Sequence, residues 1–324
     1  AFACLIGVDA GVFTDTPPSM AHALRLFLPA TDGGVGFTDP VTDRIAAYVA
    51  NFINCLPALM ENDIVGPHVK DTRAWSQGPS QALRDAGIHI RQLAAIVHAE
   101  TSTGALTPVE EISKLTHDAG ALFLVDAVTS LGGCPVRIDD WKIDAVYSGT
   151  QKCLSCPPGL APVSLSEQAM QKVKNREHGA QSWYLDINLL ANYWGEGARV
   201  YHHTAPISMN YALHESLRLA LEEGLENRWA RHESNHNRLK AGLGDLGLSL
   251  TAQEGHRLWQ LNAVGVPDGV DEAGVRTTLL NEHGIEIGPG LGPLQGKVWR
   301  VGLMGHSSSE ENVDRFLAAL KSLL

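Results

Sequence analysis

The chain has few aromatic residues, no excess of basic ones, no long hydrophobic run and no regular cysteine framework. Each absence narrows its class. Acidic residues outnumber basic ones and leave a formal net charge of -11, so its field repels nucleic acid and anionic membrane surfaces, and small metabolites become the expected partners. No stretch is apolar for the length that spans a bilayer, and residues 1–8, apolar but without basic residues and soon followed by Asp9 and Asp15, do not read as a targeting peptide. Cys4, Cys55, Cys134, Cys153 and Cys156 are odd in number and scattered, which suits reduced thiols in a cytoplasm rather than a disulfide scaffold. What is present is a chain of 324 residues, close to half of them apolar, long enough for one large and one smaller core.

From residue 93 the pattern is that of alternating strands and helices. The apolar run 93–97 empties into the polar stretch 98–104. Pro108 then opens a helix in which Val109, Ile112, Leu115 and Ala119 share a face, and Gly120 closes it. The uninterrupted run 121–125, ending at Asp126, predicts a strand buried on both faces, and 143–147, ending in Ser148 and Gly149, repeats the device. Strands alternating with helices build a mostly parallel α/β sheet, whose ligands collect at the carboxyl ends of the strands. His98, Asp126 and the segment 148–152 all fall at that edge. Farther on, 211–221 and 229–246 predict helices, with Gly247 breaking the second, and 259–264 a strand. Helical periodicity over 275–282 and 310–323, with a strand at 298–303 between them, predicts a smaller α/β layer. Alternation is weak before residue 93: Gly33, Gly34 and Gly36 suit a turn and 43–55 a helix that stops before Pro57.

Three residues at the expected ligand edge carry chemistry. Lys152 is placed where its amine can be desolvated and react with an aldehyde, against the plain alternative of a solvated surface charge. Asp126 ends an apolar strand, where a carboxylate is costly without a partner. A protonated pyridinium nitrogen is one such partner, and a cap or turn role before Val128 is the alternative. Arg300 lies inside the predicted strand 298–303 and wants a carboxylate, from an amino acid or from a structural salt bridge. The polar stretch 98–104, Thr150 and Gln151 beside the lysine, and the cluster 201–204 supply further hydroxyl, amide and ring donors.

Read in order, HAETSTG at 98–104, LVDAVTSLGG at 124–133, DAVYSGTQKC at 144–153 and PPG at 157–159 resemble the class V aminotransferases, fold type I enzymes that use pyridoxal 5'-phosphate. YHHTAP at 201–206, GLG at 290–292 and GKVWRVGLMG at 296–305 narrow the resemblance to the alanine-glyoxylate and serine-pyruvate branch. The resemblance implies a large domain, with a mostly parallel sheet and helices on both faces, over residues 1–225, of which 1–95 are atypical, and a small C-terminal α/β domain over 226–324. It implies transamination between a small amino acid, alanine or serine, and a 2-oxo acid, glyoxylate or pyruvate. Lys152 would hold the cofactor as a Schiff base and move the α-proton, and Asp126 would pair with the ring nitrogen. Thr101 would stand near the phenolic oxygen, Val128 against the ring face and Gln151 near the phosphate. Tyr201 and Thr204 would reach the phosphate in the neighbouring subunit, implying a homodimer with shared active sites. Arg300 would bind the substrate carboxylate, and no metal is required.

The pattern departs from the family ahead of residue 98: no Gly-rich phosphate loop is evident, and Trp75, in RAWSQG at 73–78, is a stand-in for the stacking ring against the plainer reading of a core or surface tryptophan. That departure motivates a second reading, a degenerate aminotransferase fold acting as a binding or structural subunit. A remote third reading is a zinc deaminase, from His98-x-Glu100 and Cys153-x-x-Cys156. Lysine rather than proline before Cys153 counts against it. A metal site at His202 and His203 is disfavoured because neighbours on an extended segment point to opposite faces.

Overall fold

The protein is described from a computed structural model, which covers residues 93–176, 180, 182–194 and 200–324. The expected glycine turn, the helix at 43–55, Trp75 and the atypical segment as far as residue 92 lie outside the described residues.

The first layer is a four-stranded sheet in the order β1 (Leu93–Val97), β4 (Leu122–Asp126), β5 (Ala145–Tyr147), β6 (Val163–Leu165). The first three strands are parallel, and β6 is antiparallel to β5. Between β1 and β4 run the short hairpin β2 (Ala99–Glu100) and β3 (Ala105–Leu106) and helix α1 (Val109–Asp118). Glu110 and Glu111 favour the positive end of the α1 dipole, and Gly120, at φ +73°, lets the chain turn back into β4. Val109 of α1 packs with Ile96, Phe123, Val125, Ala127, Ile143 and Val146 as the core of this layer. The strand expected to be buried on both faces instead alternates: Phe123 and Val125 are fully buried, whereas Leu122, Leu124 and Asp126 are half-buried, since among the described residues the core cluster gathers on the face of Phe123 and Val125.

Two elements not expected from the sequence follow β6. Helix α2 (Glu167–Lys174) is capped by Ser166, whose Oγ accepts the Ala169 N–H at 3.1 Å, and α3 is Ile187–Trp194. Then come α4 (Ile207–Glu223) and α5 (Leu225–Asp245), separated by Gly224 at φ +82°.

The second layer is an antiparallel sheet in the order β7 (Leu261–Gly265), β9 (Val298–Gly302), β8 (Gly288–Pro289), with α6 (Glu272–His283) and α7 (Glu310–Lys321). Its core joins Leu239 and Leu243 of α5 to Leu279, Trp299, Val313, Phe316 and Leu320. The layers meet where the β2–β3 hairpin lies against the approach to β7: Leu258 N–H donates to Gly104 O at 2.9 Å, and Leu106 N–H to His256 O at 2.8 Å. Gly104 is required there, since its φ is +75° and a Cβ would stand 3.1 Å from Ala263 N.

Burial lowers the pKa of His98 and of His232 to about 4, and lowers that of His236 as well. Unfolded, each histidine takes up its proton near pH 6.5; folded, the first two do so only near pH 4. Their contribution to stability is therefore complete above pH 6.5 and lost as pH falls towards 4, at up to about 1.4 kcal/mol per pH unit for each. Urea unfolding should show a lower midpoint at about pH 5 than at about pH 7.5. A flat profile would contradict neutral burial of these rings.

Candidate active site

The site is set by where three parallel strands stop. Cα register pairs Asp126 with Val97 on one side and with Tyr147 on the other, so His98, Asp126 and Tyr147 emerge along a single edge. His98 N–H donates to Asp126 O at 3.0 Å, and Ala127 N–H to Tyr147 O at 2.8 Å, carrying the pairing one step past the strands. The Asp126 carboxylate accepts the Val128 N–H through Oδ1 at 2.8 Å and the Tyr147 hydroxyl through Oδ2 at 2.7 Å. The turn role and the partner-seeking carboxylate are thus the same arrangement: one oxygen closes a local turn, the other is fixed across the sheet.

Lys152 follows Tyr147 by one loop at the same edge. The loop is closed by its own hydrogen bonds, Ser155 N–H to Lys152 O at 2.9 Å and Cys156 N–H to Thr150 O at 3.0 Å. Thr150, fully buried, donates its hydroxyl to Pro157 O at 2.7 Å, so that hydroxyl is committed to the backbone and not free for a phosphate. Gln151 is exposed and folds over Gly149, where a Cβ would stand 2.7 Å from its Oε1. The Lys152 side chain is half-buried, and among the described residues its ammonium enters no hydrogen bond or ion pair.

Arg300, from β9 of the second layer, reaches the same region. Its Nε donates to Pro289 O at 2.7 Å and one terminal nitrogen contacts Thr101 O at 3.4 Å. Desolvation lowers its pKa, opposed by the charge of Glu100, and it remains a cation at neutral pH. Among the described residues it has no carboxylate within salt-bridge distance, so the structural ion pair weighed from the sequence is absent there. A half-buried guanidinium held only by backbone carbonyls keeps donors for an incoming carboxylate.

Thr101 is thereby joined to Arg300 through its carbonyl, and Val128 to Asp126 through its N–H. Tyr201 and Thr204 hydrogen-bond each other at 2.8 Å and are both exposed; among the described residues no hydrogen bond joins them to Lys152, Asp126 or Arg300. Beside them the imidazoles of His202 and His203 meet, Nδ1 to Nδ1 at 2.8 Å, with His202 stacked on Trp183 at 4.0 Å. This corrects the expectation of opposite faces: residues 201–206 form no strand, so period-two alternation does not apply to them.

The ligands of a zinc deaminase are not assembled. Burial pushes the Cys153 thiol up to about 12, and it donates to Thr129 O at 3.2 Å. Glu100 accepts the Ser102 N–H at 2.7 Å, and the His98 ring packs edge-on against Trp141 at 5.5 Å. No cluster of metal-ligating side chains occurs among the described residues.

A lysine and a guanidinium without carboxylate partners among the described residues, with a carboxylate fixed at a strand end, fit a cofactor that carries an aldehyde and a basic ring nitrogen, with an amino acid as its reactant. The chain belongs to the class V aminotransferases: the family model Aminotransferase class-V matches residues 56–316. Its architecture is fold type I, that of the pyridoxal-phosphate aminotransferases. An alanine–glyoxylate aminotransferase from Nostoc sp. superposes with TM-score 0.72 at 49% identity, over 76% of this chain and 64% of that one. The chain is 40% identical to the (S)-ureidoglycine–glyoxylate transaminase of Bacillus subtilis over 76% of its own length and 63% of the relative's. It is 43% identical to the alanine–glyoxylate aminotransferase of Callithrix jacchus over 73% of its length and 58% of the relative's. It therefore spans about three fifths of the length of these curated relatives.

The sequence offered no role for Tyr147 beyond ending a strand. Its signal is register: a parallel neighbour ending level with Asp126 delivers its side chain to the same face. Tyr147→Phe should leave the carboxylate one hydrogen bond short and cost about 1.5–3 kcal/mol in urea unfolding at neutral pH. An unchanged midpoint would mean that the hydroxyl holds nothing.

Proposed function

We propose that this protein is a pyridoxal-phosphate-dependent aminotransferase that moves an amino group between a small amino acid, alanine or serine, and a 2-oxo acid, glyoxylate or pyruvate. The observation that carries this reading is the half-buried Arg300 guanidinium at the edge where Asp126 and Lys152 emerge, with neither Arg300 nor Lys152 paired to a carboxylate among the described residues. Glyoxylate stands in the names of both kinds of relative, which supports it as the acceptor.

In this reading Lys152 holds the cofactor aldehyde, and Asp126, oriented by Val128 and Tyr147, keeps the ring nitrogen protonated. When bound, the cofactor supplies an electrophilic carbon and a cationic ring that accepts the electron pair left by the departing α-proton. Arg300 grips the substrate carboxylate and so fixes which bond at the α-carbon faces Lys152. The Lys152 amine, freed by substrate, would take the α-proton and hold it for return to the carbon on the far side of the transferred nitrogen. Val128 would lie against the ring, Thr101 near its phenolic oxygen and Gln151 near the phosphate. Tyr201 and Thr204 reach the phosphate held by a second copy, so the working unit is a homodimer with shared sites. The cofactor-binding unit would be residues 1–225 and the small one 226–324. The acidic charge argues against nucleic acid as a partner, and no described helix is long and apolar enough to cross a membrane. Buried free thiols at Cys134, Cys153 and Cys156 support a reducing cytoplasm.

Purified protein mixed with pyridoxal phosphate should develop a visible absorption band that Lys152→Ala lacks and that alanine or serine bleaches. A band indifferent to Lys152, or no band, would replace this reading with the degenerate-subunit one. Arg300→Gln should keep the band and raise KM for the amino acid about 10- to 200-fold, the loss of about 1.5–3 kcal/mol expected for a charged hydrogen bond. An unaltered KM would remove Arg300 from substrate binding.

A further inference from the structure

Away from the ligand edge, one carboxylate organises two guanidiniums. Glu223 ends α4, the turn at Gly224 starts α5, and the first turns of α5 bring Arg228 and Arg231 back onto it. Glu223 accepts Arg228 at 2.7 Å and Arg231 at 2.6 and 3.1 Å. Arg228 is only 6% exposed, and such a cation is tolerable only with its charge paired and its remaining donors used. Those donors go to two backbone carbonyls far away in sequence: Gly132 O at 3.1 Å and Cys153 O at 2.6 Å. Gly132 lies in the segment that leaves Asp126, and Cys153 is the residue after Lys152.

Arg231 reaches instead to Gly305 O at 2.9 Å and to Ser308 O, in the turn that follows the strand bearing Arg300. His232 fastens the same turn. Its Nδ1 faces Arg228 O at 2.7 Å and so must donate, while its Nε2 accepts the Gly305 N–H at 2.9 Å. Only one neutral tautomer does both. Gly305, at φ +59°, sits directly on the lysine loop: a Cβ would overlap Ser155 Oγ and stand 2.7 Å from Cys153 O, and His306 N–H donates to Ser155 Oγ at 2.7 Å. One ion cluster therefore ties down both the loop that carries Lys152 and the turn behind Arg300.

We propose that Arg228, held in place by Glu223, is a positioning residue for Lys152, and that the Glu223, Arg228 and Arg231 cluster sets the span between the Lys152 amine and the Arg300 guanidinium. The inference rests on the proposed roles of Lys152 and Arg300. The span governs how well an amino acid held by its carboxylate presents its α-carbon to the lysine, and it can shift without disturbing either side chain's own chemistry.

The test uses the full chain with pyridoxal phosphate and compares wild type with Arg228→Lys, Arg228→Gln and Glu223→Gln. Arg238→Gln serves as control, since its guanidinium pairs with Asp314 on the surface. Lysine keeps the charge next to Glu223 but cannot serve both carbonyls at the guanidinium's geometry. Arg228→Lys should therefore move the midpoint pH of the visible band by about one unit. It should lower kcat about 10- to 100-fold, the scale of a displacement on the order of 1 Å. Its melting temperature without cofactor should fall by only a few degrees, as should that of the control, whose band and kcat stay put. If Arg228→Gln fails to fold, the lysine variant decides. Variants that melt lower but keep the wild-type band midpoint and kcat would reduce Arg228 to a structural role and overturn the proposal. A wild-type protein without a Lys152-dependent band would sink the functional reading itself and this inference with it, an outcome distinct from the former.

Discussion

Everything at the site depends on the register of β4 between β1 and β5. With Asp126 level with Val97 and Tyr147, the carboxylate, the phenol and the start of the lysine loop leave the sheet at one edge. A slip of one residue would turn Phe123 and Val125 out of the core and carry Asp126 to the opposite face. The burial of those two side chains, both fully inside, is what forbids the slip. The same apolar pattern that makes β4 a strand thus also fixes where its acid points, linking core packing directly to site geometry.

The second requirement is that the small layer hold Arg300 against this edge. Part of that work is done by the β2–β3 hairpin, which joins the backbone near β7, and by the contact of Arg300 with Thr101 O. The rest falls to buried polar groups on α5. Burying Arg228 is costly, and Glu223 with two carbonyls offsets that cost while linking segments 96 and 75 residues away. Glycines occupy two of the joints, Gly104 against β7 and Gly305 against the lysine loop, where a side chain would crowd the facing segment. Stability and site geometry here draw on the same contacts.

The elements legible in the sequence were those whose core lay close at hand. β1, β4 and β9 are short, mostly apolar segments, and α1, α5 and α7 carry periodic apolar faces. By contrast β6 is three residues, largely exposed, and defined only by pairing with β5, while α2 is polar with one fully buried residue, Ala169. Neither leaves a period to read. At the site, Lys152, Asp126 and Arg300 stood out because charge at the end of, or within, an apolar run demands a reason. Tyr147 and Arg228 did not, because their partners are set by tertiary register and by contacts with distant loops. The paired rings of His202 and His203 ran against a strand rule applied to a segment that is not a strand.

The central claim is that the amine of Lys152 is the group that captures the cofactor. The most direct measurement is borohydride reduction of the protein mixed with pyridoxal phosphate, followed by proteolysis and mass spectrometry of the labelled peptide. Borohydride delivers hydride to a carbon–nitrogen double bond and turns a reversible linkage into a stable secondary amine, so the label marks the nitrogen that held the aldehyde. The account predicts a phosphopyridoxyl group on Lys152 at close to one per chain, suppressed when substrate amino acid is added before reduction. A label spread over surface lysines, or none, would contradict it.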